Sequence, residues 1–224
     1  MKLLIDDANI GEIKRLYDLY PIDGVTTNPS ILAKAGSDPK AVLTEIRAFI
    51  GEDALLFVQV LALTAEEMVA DAHRILEICG RNTVVKIPSI PEGFKAMRLL
   101  GAENIRTCGT VVYTPMQAFL AAKAGASFVA PYVNRIDNMG YDGVKVVKEI
   151  QDILVNNHLD CMVLAASVQN SQQVMELCAY GVSSATASPA VIDSFVKNPA
   201  IDAAVQDFLT DFEKATGKTA MTEL

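Results

Sequence analysis

Histidine is scarce in this chain, its cysteines follow no pairing pattern, and its basic residues are outnumbered. The two histidines, His73 and His158, fall within or just after predicted helices. A zinc-dependent aldolase or hydrolase needs a cluster of histidines and carboxylates, and no such cluster is visible. The four cysteines, Cys79, Cys108, Cys161 and Cys178, form neither a C-x-x-C pair nor a framework of short spacings. Each reads as a small reduced residue in an apolar core. Lysine and arginine number 19 against 27 acidic residues, for a net charge of −8 and a pI near 4.8. That balance disfavours nucleic acid and anionic membranes as partners, and an anionic substrate would need a local basic site. No apolar run approaches the ~18 residues of a membrane span. Asp6 and Asp7 follow the first apolar run at once, unlike a signal peptide, so a cytoplasmic protein is expected. No glycine-rich phosphate loop follows a strand, and no G-x-S-x-G elbow is present.

What is present is regular. The 224 residues are 51% hydrophobic and 21% charged, enough for a sizeable core. Short apolar runs recur as KLLID (2–6), DGVTTN (23–28), ALLFVQV (54–60), TVVKIP (83–88), RTCGTVVY (106–113), SFVAPYV (127–133), CMVLAAS (161–167) and VSSATAS (182–188). Segments with helical periodicity lie between them, among them 10–20, 64–79, 140–157 and 171–180. Thr64 followed by Glu67 reads as a capping box. Continuous apolar strands alternating with helices indicate βα units and a parallel sheet. Eight units in an undivided chain predict an α/β fold, a (β/α)8 TIM barrel over 1–200. An open doubly wound sheet is the alternative, and it lacks its glycine fingerprint. Ile201, Val205, Phe208, Leu209 and Phe212 share one face of a predicted helix over 201–217. Residues 201–224 are therefore expected to form a C-terminal helix and tail, packed on this barrel or on a neighbouring subunit.

Active sites of such barrels lie at the C-terminal ends of the strands. Asp6, Asn28, Gln59, Lys86, Thr110, Tyr132, Ser167 and Ser188 fall there, at spacings of 22, 31, 27, 24, 22, 35 and 21 residues. Some, Ser188 above all, have the plain alternative of capping the next helix. Asp6, Asn28 and Lys86 are unlike polar groups on neighbouring buried strands, which need each other or a ligand. Lys86 itself has two readings. It is a structural lysine paired with Asp6, or it is a nucleophile, and the two are compatible, since Asp6 can pair with the charged form and still handle a proton. A lysine in a dry pocket gives up its proton more readily, and a neutral amine attacks a ketone to form a Schiff base.

These residues also carry a resemblance. GVTTNPSIL (24–32), VVKIP (84–88), APYVNRID (130–137) and LAAS (164–167) resemble the transaldolase family, in particular its small branch that includes fructose-6-phosphate aldolase. The similarity covers nearly the whole chain. It implies a metal-independent enzyme of carbohydrate metabolism without a cofactor, whose Schiff-base lysine maps to Lys86. It implies that Asp6 handles a proton, and that Asp6 and Asn28, with Thr26 beside it, hold substrate hydroxyls. A catalytic water would be held by Gln59, Thr110 and Tyr132, with Tyr132 as general acid/base. The Gln and Tyr at these positions resemble the aldolase branch, whereas transaldolases of the pentose phosphate pathway carry Glu and Phe. Arg135 and Ser167 match phosphate-binding positions, and a guanidinium fork suits phosphate; the plain alternative for Arg135 is an ion pair with Asp137 or a neighbouring carboxylate. The implied partners are a sugar phosphate and dihydroxyacetone, and the implied assembly is a homo-oligomer of pentameric rings that pair into decamers. Three positions depart from the family pattern: Gln169 replaces a basic residue, Ile90 a hydroxyl residue, and Asp7 a small hydroxyl residue. Outside the family, a non-catalytic sugar-phosphate barrel would share the same scaffold.

Overall fold

The computed structural model describes residues 1–36 and 38–224. Eight parallel strands close in sequence order into a barrel. They are β1 (Lys2–Asp6), β2 (Gly24–Thr26), β3 (Leu55–Gln59), β4 (Thr83–Pro88), β5 (Thr107–Val112), β6 (Phe128–Pro131), β7 (Met162–Ala165) and β8 (Ser184–Ala187). The helices between them are α1 (Ile10–Leu19), α2 (Pro29–Lys34), α3 (Pro39–Ile50), α4 (Ala65–Cys79), α5 (Pro91–Ala102), α6 (Pro115–Lys123), α7 (Val133–Asp137), α8 (Gly143–Asn156), α9 (Ser171–Tyr180) and α10 (Pro189–Asp193). A last helix, α11 (Pro199–Thr216), follows. The expected barrel and C-terminal helix are both present.

Strand alternation creates two cores. Outward-facing residues such as Ile5, Val25, Leu56, Val85 and Val129 pack under the helices. Inward-facing Leu4, Leu55, Phe57, Val84, Cys108, Phe128 and Leu164 fill the barrel. Phe57 and Phe128 meet there edge to face, with centroids 5.0 Å apart. Gly24 takes the inward position on β2, where a Cβ would collide with the Leu55 carbonyl. The same inward parity then delivers Asp6, Thr26, Gln59, Lys86 and Thr110 at the upper strand ends.

Several local expectations change. Thr64 does cap α4, but Glu67 takes the Thr64 hydroxyl (2.7 Å) instead of the cap's backbone N–H. The complete capping box is Thr114 with Gln117, at the start of α6. The helix expected over 140–157 begins at Gly143, because Asp142 caps it and Gly140 has a left-handed backbone (φ 84°). Cys178 is exposed rather than in the core, while Cys79 and Cys108 are buried and Cys161 is half-buried; all four are free. Cys178 lies off the buried Val174–Leu177 stripe of α9. Among the described residues no helix is long and apolar enough to cross a membrane. α11 buries none of its residues, and Ile201, Val205, Phe208 and Leu209 stand exposed.

Candidate active site

A cavity of about 480 Å³ opens at the C-terminal end of the barrel. Asp6, Asn28, Gln59, Lys86, Tyr132, Arg135, Ser167 and Ser188 line it. The structure therefore brings together residues from most of the strand ends that sequence spacing singled out. Thr26 and Thr110 lie beneath it, fully buried, with their hydroxyls bonded to Asp6 and Tyr132.

Lys86 is 3% exposed. Its Nζ donates to the Thr27 carbonyl at 3.1 Å. That carbonyl is held in place because the Thr27 N–H and hydroxyl both bond the Phe57 carbonyl, at 2.9 and 3.0 Å. Among the described residues no carboxylate stands within salt-bridge distance of Lys86. The expectation of a structural Lys86–Asp6 ion pair thus fails: the two share a cavity and act on each other through space. Burial pushes the Asp6 carboxyl above its ordinary value, more than the Lys86 charge and the Thr26 hydrogen bond pull it down; Asp7 adds a smaller upward push and Arg135 a smaller downward one. Asp7 itself accepts the N–H groups of Ala8 (2.7 Å) and Asn9 (3.0 Å) through Oδ1, a turn that occupies the residue departing from the family pattern.

Asn28 lies two residues beyond β2 and caps α2, its Oδ1 accepting the Ile31 N–H at 3.0 Å. Its amide NH₂ is left to face the cavity. Gln59 and Lys86 are register partners on β3 and β4. On the next strands round the barrel, Thr110 of β5 and Tyr132, which follows β6, share a hydrogen bond of 2.9 Å. The Tyr132 ring meets Tyr113 edge to face at 5.6 Å. The Arg135 guanidinium lies 4.5 Å above the centre of the Tyr132 ring. Arg135 makes no ion pair among the described residues. Asp137, its expected alternative partner, is engaged by the Gly143 N–H (2.7 Å) and by Gln173 Nε2 (2.8 Å). Arg135 is exposed at the cavity mouth, where the Tyr113 hydroxyl, more than any other group, raises its pKa. Ser167 joins it there with a left-handed backbone (φ 58°).

Some features have no clear sequence signal. Val111 lines the cavity with φ 59°, a strained conformation for a β-branched residue. It forms a bulge in β5, where Thr110 and Val111, between the paired Gly109 and Val112, stand opposite the single residue Ala130 on β6. Thr110 keeps the inward parity of Cys108, and the bulge turns Val112 out to the helix layer. Gln117 holds it: Oε1 accepts the N–H groups of Tyr113 (3.0 Å) and Thr114 (3.2 Å), and Nε2 donates to the carbonyls of Val111 (3.1 Å) and Ser89 (3.2 Å). Thr186, on β8, has no sequence signal of its own; it shares the inward parity of Ser184 and Ser188, and its hydroxyl meets Thr26. Ser188 occupies a helix N-cap position without a capping bond and faces the cavity instead. Ile90 is the uncapped N-cap of α5. A hydroxyl at that position would be placed to cap a helix, so its loss removes no group from the cavity.

His73 pairs with Glu103 at 2.7 Å on the outer surface. Neither histidine lines the cavity. Among the described residues no group of three or more His, Cys, Asp or Glu side chains could hold a metal ion.

Comparison with known proteins fits this geometry. The chain is 40% identical over 218 residues to a "Probable transaldolase" of Clostridium perfringens, covering 97% of this chain and all of that one. It is equally identical over 214 residues to a "Probable transaldolase" of Thermodesulfovibrio yellowstonii, covering 96% of this chain and 99% of that one. A solved structure described as "Native KDPGal structure" shares the fold, with a TM-score of 0.57 at 16% identity over 84% of this chain and 82% of that one. The model of the family "Transaldolase/Fructose-6-phosphate aldolase" matches residues 3–223. A lysine in a carboxylate-bearing cavity at the barrel's C-terminal end, with these relatives and this match, makes the chain a member of the transaldolase/fructose-6-phosphate aldolase family, an enzyme of the Schiff-base aldolase and transaldolase type.

Proposed function

We propose that the chain cleaves and forms fructose 6-phosphate from dihydroxyacetone and glyceraldehyde 3-phosphate, with Lys86 as nucleophile. The observation that carries this reading is Lys86 Nζ, buried and bonded to a carbonyl rather than to a carboxylate, at a cavity lined by Asp6. The neutral amine of Lys86 attacks the C2 ketone, and loss of water gives an iminium. Asp6 takes the proton of the C4 hydroxyl. The C3–C4 bond breaks, its electron pair flows into the iminium, and glyceraldehyde 3-phosphate leaves. Protonation of the enamine at C3 and addition of water release dihydroxyacetone. The Thr110–Tyr132 pair, with Gln59, is suited to hold the water that serves these proton transfers, and Tyr132 supplies the acid/base phenol. Asn28 donates to a substrate hydroxyl through its free NH₂. Arg135 and Ser167 meet the phosphate at the mouth. Gln169, whose backbone N–H bonds Gln173 at 2.8 Å, adds no charge there.

A second reading is favoured by the two relatives named as probable transaldolases. In it an aldose phosphate captures the enamine before water does, and the chain serves the pentose phosphate pathway. Gln59 and Tyr132, which resemble the aldolase branch, support the first. The chemistry can be tested by reducing a mixture of protein and dihydroxyacetone with borohydride and weighing the peptides. A three-carbon adduct on Lys86 is expected, and its absence would sink the mechanism. Cleavage of fructose 6-phosphate without erythrose 4-phosphate is expected as well. Turnover that strictly requires the acceptor would make the chain a transaldolase.

The same reading includes a homo-oligomer, pentameric or decameric as in the family, in a cytoplasmic setting consistent with four free cysteines. It is supported by the uncovered apolar stripe of α11. Sedimentation equilibrium of Phe208→Glu should give a smaller species than the parent; an unchanged assembly would reject a role for α11.

A further inference from the structure

Thr186 has no part in the reaction as written above, yet its hydroxyl sits at the floor of the cavity. Its Oγ1 lies 2.6 Å from Thr26 Oγ1, and Thr26 Oγ1 lies 2.7 Å from Asp6 Oδ1. The three residues come from β8, β2 and β1, joined because β8 and β2 both pair with β1. Thr26 and Thr186 are 0% and 1% exposed, so water does not compete for either hydroxyl.

Counting protons fixes the direction of the chain. An ionised carboxylate only accepts, and a hydroxyl has one proton to give. Thr26 therefore donates to Asp6, and the bond between the two threonines must be donated by Thr186. Asp6 Oδ1 accepts this bond, whereas Oδ2 has no hydrogen-bond partner among the described residues. Oδ2 is the oxygen left for a substrate proton.

We propose that Thr186 is a positioning residue for Asp6: by donating to Thr26 it commits the only Thr26 proton to Asp6 Oδ1, and so presents Oδ2 as an oriented, ionised proton acceptor. In the cleavage step the C4 hydroxyl proton moves to Oδ2 as the C3–C4 electron pair enters the iminium, and the threonine chain keeps its direction throughout. This rests on the reading of Asp6 as the proton acceptor. The groups acting on Asp6 are Thr26 and Lys86, which favour its charged form together with Arg135, and Asp7, which opposes it along with burial. Removal of the Thr186 hydroxyl frees the Thr26 proton to rotate, weakens the bond to Oδ1 and shifts Asp6 towards its neutral form.

The test compares Thr186→Val with Thr186→Ser in the full-length protein. Thr186→Val is expected to lower kcat about tenfold, to leave KM within about twofold, and to move the acid limb of the pH–rate profile about half a unit to higher pH. Thr186→Ser, which keeps the donor, is expected to restore both kcat and the limb. A folded Thr186→Val with parental kcat and acid limb overturns the proposal, as does a Thr186→Ser that behaves like the valine variant. Thr186→Ala serves if valine does not pack, and failure of both to fold also overturns it, since a role confined to Asp6 predicts folded protein. Borohydride trapping separates the two layers of inference: no adduct on parental Lys86 removes the Schiff-base reading, whereas an adduct with an unmoved acid limb in Thr186→Val removes only the role of Thr186.

Discussion

Two layers of the barrel interior lie two residues apart along each strand. In the lower layer Leu4, Phe57, Val84 and Cys108 face the axis and pack into an apolar plug. One inward position further on, Asp6, Gln59, Lys86 and Thr110 face the same axis and build the cavity or its floor. Backbone and parity are shared, so the difference lies in solvent access and side-chain chemistry. The lower layer stabilises by removing apolar surface from water, roughly 1.5–3 kcal/mol for each large side chain. The upper layer holds desolvated polar groups that oppose stability unless bonded, and it is there that chemistry becomes available.

If the layers divide the work in this way, substitutions should separate activity from stability. The largest effect is expected for Lys86→Met, which removes the nucleophile; turnover should fall by roughly 10³-fold or more, and trapping with dihydroxyacetone should give no adduct. Circular dichroism should show an intact barrel. Next comes Asp6→Asn, expected to cost about 10²–10⁴-fold in kcat as a lost acid/base group. Its stability effect has the opposite sign. Because the folded carboxyl titrates above the ordinary 3.8, the native state holds its proton more tightly than the unfolded chain, and stability falls as pH rises through that window. Asp6→Asn should therefore melt higher than the parent at neutral pH, with the gap closing as pH drops towards 3.8. A lower melting temperature at neutral pH would show that Asp6 is net stabilising and would blur the contrast between the layers.

Phe57→Ala probes the lower layer. It should cost about 3–5 kcal/mol in urea unfolding, while kcat per folded molecule changes little. The smallest effect is expected for Gln117→Ala, which strips the bonds around the Val111 bulge: about 1–3 kcal/mol of stability, with a lower kcat at nearly unchanged KM because Thr110 and Tyr113 lose their support. Gln117→Glu keeps the acceptor and loses the donors, so a kcat close to that of alanine would assign the effect to the carbonyls of Ser89 and Val111.

Much of this arrangement was legible beforehand. Parallel strands buried on both faces must read as short apolar runs, so the strands and their upper ends could be located. Lys86 stood out because a charge inside TVVKIP is costly without a use. Other features were not legible, for particular reasons. Nothing in TCGTVV signals that Val111 adopts a positive φ, since the strain is sustained by Gln117 and by the register with β6. The Asp6–Lys86 ion pair looked plausible from charge alone, but distance decides pairing, and Lys86 bonds Thr27 instead. Cys178 sits in an apolar stretch yet faces water, because helix phase sets burial.

By itself, then, the order of residues determined the alternation of βα units, the inward parity that carries polar groups to the rim, and the apolar stripe of the C-terminal helix. These follow from local periodicity, which a linear sequence encodes directly. Only the closed barrel decided which distant groups touch. Thr26 and Thr186 stand 160 residues apart and meet because β8 closes against β1. That contact depends on strand number, tilt and closure together, properties of the assembled sheet that no single segment contains.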